Sequence, residues 1–355
     1  MSPRQRIVRE RRQYNQWVAS QTLEDYALRY TAARARRSIF RVGNTALGPI
    51  AFLACEAIGG AITLAYGFSN AAYGIVGFCA LMFLIGLPIC YYAARYGVDI
   101  DLLTRGAGFG YIGSTLTSLI YASFTFLLFG IPLFVAHLLS ALVVIPIALY
   151  GISLISRMQI ATQPIWLVLQ FVPLAVIVWR HPENVAGWTG FSGAHGNADG
   201  SINWLLLGTV ASILLSLLPQ IGEQVDYLRF LPERTAENRR RWWATLLLTG
   251  PGWVGIGGFK LLAGSFLAYL LVRSGIAVAD ADDPTSMYLL AFRESLGSPT
   301  VALVLTGVFV IVCQLKINVT NAYAGSIAWS NFFSRVTHSH PGRVVWLVFN
   351  VLLAL

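Results

Sequence analysis

The feature that most constrains the fold of this chain is a series of long apolar runs separated by short polar segments. A helix that crosses a bilayer needs about 20 predominantly apolar residues, and only helices or closed barrels satisfy their backbone groups in hydrocarbon. The chain has 355 residues, of which 56% are hydrophobic and 12% charged, against about 25% charged in soluble domains. The sequence therefore predicts an all-α integral membrane protein with several spans.

Arginine-rich segments set the predicted topology, because basic residues mark cytoplasmic loops. Residues 1–41 hold ten arginines and residues 229–241 hold five. We predict a cytoplasmic arginine-rich segment (1–41) and a multi-span domain (42–355) in the inner (plasma) membrane, with residues 285–297 as a short helix on the outer surface. The predicted spans 1 to 9 are about 44–66, 71–94, 109–130, 133–155, 164–179, 203–228, 242–272, 299–331 and a last one from 344.

Composition also excludes several classes of function. The net charge is +9, but the arginines lie between apolar runs, so the predicted partner is the lipid bilayer and not nucleic acid. The four cysteines lie within apolar runs and have no metal-site spacing. No nucleophile–base pair stands out, so we expect no cofactor, no metal and no enzymatic activity.

Two of the predicted spans contain residues that interrupt helices. Gly48-Pro49 and Gly59-Gly60 lie in span 1, and Pro219 and Gly222 lie in span 6. Two interrupted helices, five apart, are typical of inverted-repeat transporters, which bind substrate between the repeats. The alternative is that glycine and proline are common in membrane helices in any case.

Charged side chains at membrane depth indicate a functional site or an ion pair. Glu56 in span 1 and Lys316 in span 8 lie at similar depth, and an isolated charge there costs at least ~2.5–3.5 kcal/mol. We therefore predict that Glu56 and Lys316 are paired; the alternative is two separate charges that face a watery cavity. Lys260 in span 7 is expected to be structural.

Span 8 also carries a cluster of uncharged polar residues between Gln314 and Asn331. Asn318 and Asn321 are three apart, and carboxamides both donate and accept hydrogen bonds, which suits an amide-containing heterocycle. The alternative is that these side chains join neighbouring helices. Gln220, beside the interruption of span 6, is a further ligand candidate, whereas Asp226 and Arg229 are expected to be structural.

Three segments resemble one known family. GVDIDLLTRGAGFGYIGS (97–114), GEQVDYLRFLP (222–232) and NAYAGSIAWSN (321–331) are similar to motifs of nucleobase–cation symporters of the purine–cytosine permease type. The resemblance covers about 40–355 and is closest to the permease-like N-terminal modules of membrane sensor histidine kinases. It implies a LeuT-type inverted-repeat transporter fold, here about nine helices with the second repeat truncated.

The resemblance further implies transport of a small purine, pyrimidine or similar substrate, coupled to H+ or Na+. The substrate would lie between spans 1, 3, 6 and 8, and Lys316 aligns with a position where sodium-using relatives have hydroxyl residues, so its ammonium would replace the ion. The alternative function is a solute-sensing input domain for a C-terminal kinase module. The implied substrate residues are Phe52, Glu56, Tyr121, Phe124, Gln220, Asn318 and Asn321, with Glu56 also a candidate for ion coupling.

Overall fold

The structure is a computed structural model that describes residues 30–127, 134–338 and 341–354. The described chain is built from helices and turns. The α-helices are α1 (Ile39–Ala46), α2 (Ala54–Tyr96), α3 (Ile100–Thr104), α4 (Gly110–Leu127), α5 (Phe134–Leu149), α6 (Ile152–Arg180), α7 (Glu183–Thr189), α8 (Trp204–Leu215), α9 (Gln220–Leu228), α10 (Arg239–Thr249), α11 (Trp253–Arg273), α12 (Pro284–Leu296), α13 (Pro299–Val336) and α14 (Arg343–Leu353).

Long apolar helices confirm that the protein crosses the membrane several times. Five stretches of the described chain are long and apolar enough to span a bilayer, and two shorter apolar helices accompany them. The five stretches are Ala54–Tyr96, Ile152–Arg180, Trp204–Leu228, Arg239–Arg273 and Pro299–Val336. Most of the arginine-rich segment 1–41 lies outside the described residues, so the predicted orientation stays a prediction.

The helix α2 contains predicted spans 1 and 2, which are separated at Gly67. Gly67 has φ 82° and ψ 162°, a conformation that favours glycine. The chain runs parallel to α11 before Gly67 and antiparallel to it afterwards, so the break reverses its direction. Before the break, Ile50 packs against Gly257 and Glu56 packs against Gly264. After the break, Ile75 packs against Gly258 and Gly86 packs against Pro251.

The interruption of span 1 at Gly48-Pro49 is confirmed. The chain leaves α1, makes a 3-10 turn over Gly48–Ala51 and becomes extended at Phe52 (ψ 139°) before α2 begins. The predicted interruption at Gly59-Gly60 is wrong, because both glycines lie within regular helix. A Cβ at Gly59 would lie 1.9 Å from the carbonyl oxygen of Leu261. These glycines therefore serve close packing between α2 and α11.

The interruption of span 6 at Pro219 is likewise confirmed, since α8 ends at Leu215 and α9 begins at Gln220. Gly222 does not interrupt the helix. It lies within α9 under the ring of Tyr121, where a Cβ would come within 2.8 Å of that ring. The predicted role of Gly222 as a helix breaker is therefore wrong, and its role is to admit an aromatic ring.

Four other predicted spans have boundaries that differ from the structure. Span 7 is divided by Gly250-Pro251-Gly252 into α10 and α11, because proline cannot continue the helix. Span 4 ends earlier than predicted, at Leu149. Span 5 begins earlier than its predicted start at about 164, because α6 starts directly after Gly151, which has φ 67°. Span 8 continues beyond residue 331 to Val336.

The predicted short helix at 285–297 is confirmed as α12. Asp283 caps it, since its carboxylate accepts hydrogen bonds from the backbone N–H groups of Thr285 and Ser286. One face of α12 is buried in the core, with Tyr288 against Phe309 of α13 at a ring distance of 4.2 Å. The helix thereby links span 8 to the interior of the bundle.

The glycine contacts between α2 and α11 give a direct test of the packing. We expect Gly264→Ala to lower the free energy of unfolding by ~1–3 kcal/mol, a typical cost of overpacking, because the new Cβ would lie 2.1 Å from the carbonyl oxygen of Glu56. Gly255→Ala, on the same helix with no atom within 4 Å, is the control. Thermal unfolding of the purified variants measures both, and equal stability would contradict the packing.

Candidate functional site

The first buried polar group, the Glu56 cluster, consists of Glu56, Lys260, Gln170 and Tyr288. The Nζ of Lys260 lies 2.8 Å from Oε1 of Glu56, and both side chains are 0% exposed. The same oxygen accepts hydrogen bonds from the Tyr288 hydroxyl (2.9 Å) and the Gln170 amide (3.1 Å). This cluster ties α2, α6, α11 and α12 together at membrane depth.

The predicted pair of Glu56 with Lys316 is wrong. The Lys316 ammonium instead donates hydrogen bonds to the side-chain oxygens of Gln159 (2.5 Å) and Gln163 (2.8 Å). The ion pair of Glu56 is with Lys260, which sequence analysis regarded as structural. Both side chains lie against α6, but at positions at least seven residues apart: Lys316 bonds Gln159 and Gln163, whereas Glu56 bonds Gln170 and pairs with Lys260 of α11.

The second group, the Lys316 cluster, consists of Lys316, Gln159, Thr162 and Gln163. It lies beside the interruption of span 1, where the Gln159 side chain packs on Gly48 so tightly that a Cβ would be 2.2 Å from its Cδ. Among the described residues, no carboxylate lies within 4.0 Å of the Lys316 ammonium. The Lys316 Nζ is therefore buried and held by neutral side-chain oxygens.

Sequence analysis missed the glutamines of α6 that bind both lysines. Gln159, Gln163 and Gln170 are spaced by four and seven residues, so they share one face of the helix. All three are buried. The sequence did carry a signal for these residues. Hydrocarbon does not solvate an amide, so three glutamines inside a long apolar run indicate buried polar contacts.

Tyr121 lies where α4, α9 and α13 meet. Its ring covers Gly222 of α9, and its hydroxyl donates a hydrogen bond to Oδ2 of Asp226 at 3.0 Å. It shares a packed cluster with Ala324 and Ala328 of α13, and the predicted partner Phe124 packs against the same cluster. The structure therefore brings two predicted substrate residues together at one helix junction.

Asn321 lies on the face of α13 that meets this junction, because it precedes Ala324 and Ala328 by three and seven residues. Its side chain is 0% exposed, and neither its Nδ2 nor its Oδ1 has a hydrogen-bond partner among the described residues. A buried polar group without a partner costs about 1–3 kcal/mol. Asn321 is therefore available to a ligand that offers both a donor and an acceptor.

Two other predicted amides are only partly satisfied. Asn318 donates to the Ser140 hydroxyl at 3.2 Å, and Gln220 donates to Oε2 of Glu223 at 2.6 Å. The carbonyl oxygen of each side chain has no partner in the described part of the chain. Both oxygens can accept a hydrogen bond from a ligand.

The remaining predicted substrate residues lie apart from this junction. Phe52 is buried in the extended segment between α1 and α2. Glu56 is engaged by its own cluster, and no hydrogen bond or ion pair of the described residues joins it to Asn318, Asn321 or Gln220. The substrate roles of Phe52 and Glu56 stay predictions.

A third group, the arginine cluster, lies at the predicted cytoplasmic end. Arg229 pairs with Asp99 at 3.6 Å, and Arg335 pairs with Asp101. Burial raises the pKa of Asp101, which belongs to α3 outside the predicted spans. A small cavity beside Asp101 has room for about one water molecule. These contacts fit the expectation that Arg229 is structural.

Comparison with known proteins places the fold. No family model and no curated protein matches the chain. Among solved structures, the chain is similar to Mhp1, a nucleobase-cation-symport-1 family transporter in a closed conformation with bromovinylhydantoin bound. The TM-score is 0.64, the sequence identity is 17%, and the match covers 93% of this chain and 74% of Mhp1.

This likeness shows a shared fold, so the predicted LeuT-type fold is confirmed. The interruptions of spans 1 and 6 agree with it. None of these findings bears on the sensor-kinase interpretation, which stays a prediction.

The Glu56–Lys260 pair can be tested by a double-mutant cycle. We expect Lys260→Met to destabilise the protein by ~3–5 kcal/mol, because it leaves a buried carboxylate unpaired, and Glu56→Gln to cost comparably. The double variant should lose much less than the sum, as measured by unfolding of purified protein. The same cycle with Lys316→Met in place of Lys260→Met is the control, and a larger coupling there would restore the pair predicted from sequence.

Proposed function

We propose that this protein is a secondary transporter of nucleobases or related amide-containing heterocycles. The observation that carries the proposal is the fully buried carboxamide of Asn321, both of whose polar atoms lack a partner among the described residues. A ring with an adjacent carbonyl and N–H would satisfy both atoms at once. Inverted-repeat transporters bind their substrates at such depth, between interrupted helices.

The surroundings of Asn321 support a flat ring as the substrate. Tyr121 and Phe124 supply aromatic surface at the same junction, and the free carbonyl oxygen of Gln220 lies on α9, directly after the interruption of span 6. The ligand named for Mhp1 is a hydantoin, a class of ring that carries such amide groups. Asn318, with one free oxygen, would add a further acceptor.

Lys316 supports transport that does not use sodium. Its ammonium already lies between the interruption of span 1 and α6, held by three neutral side-chain oxygens. An ammonium at this position repels a second cation and supplies the charge that a bound ion would supply. Coupling to protons is therefore the form of symport that we propose, in the plasma membrane.

Uptake by cells that express the full-length protein tests this function. We expect saturable uptake of at least one of uracil, cytosine, hypoxanthine and allantoin, unchanged when sodium is removed and lost with a proton uncoupler. No uptake of any base, with the protein confirmed at the membrane, would contradict transport. Uptake that requires sodium would contradict only the proposed role of Lys316 and would leave transport supported.

The role of Asn321 has its own test. We expect Asn321→Ala to weaken binding of the transported base by about tenfold or more, because two hydrogen bonds to a buried ligand are lost. Asn197→Ala, which changes an amide that bonds only within its loop, is the control. Equilibrium binding to purified protein measures both, and equal affinities would exclude Asn321 from the site.

A further inference from the structure

Glu223 is a buried acid whose environment differs from that of the paired acids. It lies in α9, directly after the interruption of span 6, and is 0% exposed. Its Oε2 accepts one hydrogen bond, from the Gln220 amide at 2.6 Å, and its Oε1 has no partner in the described chain. No lysine, arginine or histidine of the described residues lies within 4.0 Å of it.

Three other buried acids of the bundle are paired with cations. Glu56 pairs with Lys260, Asp99 with Arg229, and Asp101 with Arg335. Asp226, one turn after Glu223, accepts the Tyr121 hydroxyl, and Arg229 bonds its backbone carbonyl. Glu223 instead accepts a hydrogen bond from one neutral amide, that of Gln220.

The groups that face Glu223 do not compensate a negative charge. They are Tyr121 from α4, and Asp226 and Tyr227 on α9 itself. Tyr227 in turn stacks on Tyr323 of α13, with ring centroids 6.1 Å apart. Two phenols and a second carboxyl group leave a proton as the simplest way to neutralise Glu223 at this depth.

We propose that Glu223 is the proton-binding residue of the transporter, an inference that rests on the proposed function. Buried as it is here, Glu223 holds a proton, and its hydroxyl is free to donate to an acceptor on the substrate beside Gln220. The proton comes from water on one side of the membrane and returns to water on the other. Because protonation adds a donor and removes a charge, proton and substrate each strengthen the binding of the other.

Infrared spectroscopy tests the protonation without any substrate. Purified protein at neutral pH should show the carbonyl band of a protonated carboxyl group that Glu223→Gln removes and that Glu294→Gln, an exposed acid on α12, leaves unchanged. If Glu223→Gln removes no such band, the proposal is overturned. The band does not depend on transport of a nucleobase. Failure of the Glu223 proposal can therefore be distinguished from failure of the proposed transport function.

Proteoliposomes test the coupling. A gradient of one pH unit stores about 1.4 kcal/mol per proton, so wild-type protein with the membrane potential clamped should accumulate its base up to about tenfold. Glu223→Gln should still exchange labelled for unlabelled base but bring the two sides only to equal concentration. Glu223→Asp, which keeps the carboxyl group, should retain accumulation. Gradient-driven accumulation by Glu223→Gln would overturn the proposal.

Discussion

Hydrocarbon cannot solvate a backbone amide or a charge, so each departure from regular helix in this protein needs a partner from elsewhere in the chain. At the Gly67 break the partner is the loop after α7: the backbone N–H groups of Ala194 and His195 bond the carbonyls of Leu64 and Ala65. At the interruption of span 1, the Lys260 ammonium lies 3.4 Å from the carbonyl of Ala51. The irregular segments are thus positioned by contacts with the bundle.

The same constraint separates structural polar groups from those available to a ligand. Glu56 and Lys260 neutralise each other, and Oε1 of Glu56 accepts further hydrogen bonds from Gln170 and Tyr288, which suits an element that fixes four helices. Asn321 has no such support among the described residues. A transport site must keep unmet hydrogen-bonding capacity, since a fully satisfied site has nothing to offer a substrate.

The spans, two of the interruptions and the fold could be predicted because they depend on apolar length, on basic loops and on proline. Gly59-Gly60 and Gly222 were misjudged because glycine serves close packing as readily as it breaks a helix, and a single sequence does not show which neighbour lies opposite. The partner of Glu56 was misjudged for a related reason. Depth along a helix follows from residue number, but the direction that a side chain faces depends on packing.

The proposed function depends on where the substrate binds. A cryo-electron microscopy structure of the protein, with its preferred heterocycle bound, would show this position. We expect ring density at the junction of α4, α9 and α13, within hydrogen-bonding distance of the Asn321 carboxamide and beside Tyr121. Density against the Glu56–Lys260 pair instead, with Asn321 still without a partner, would contradict it.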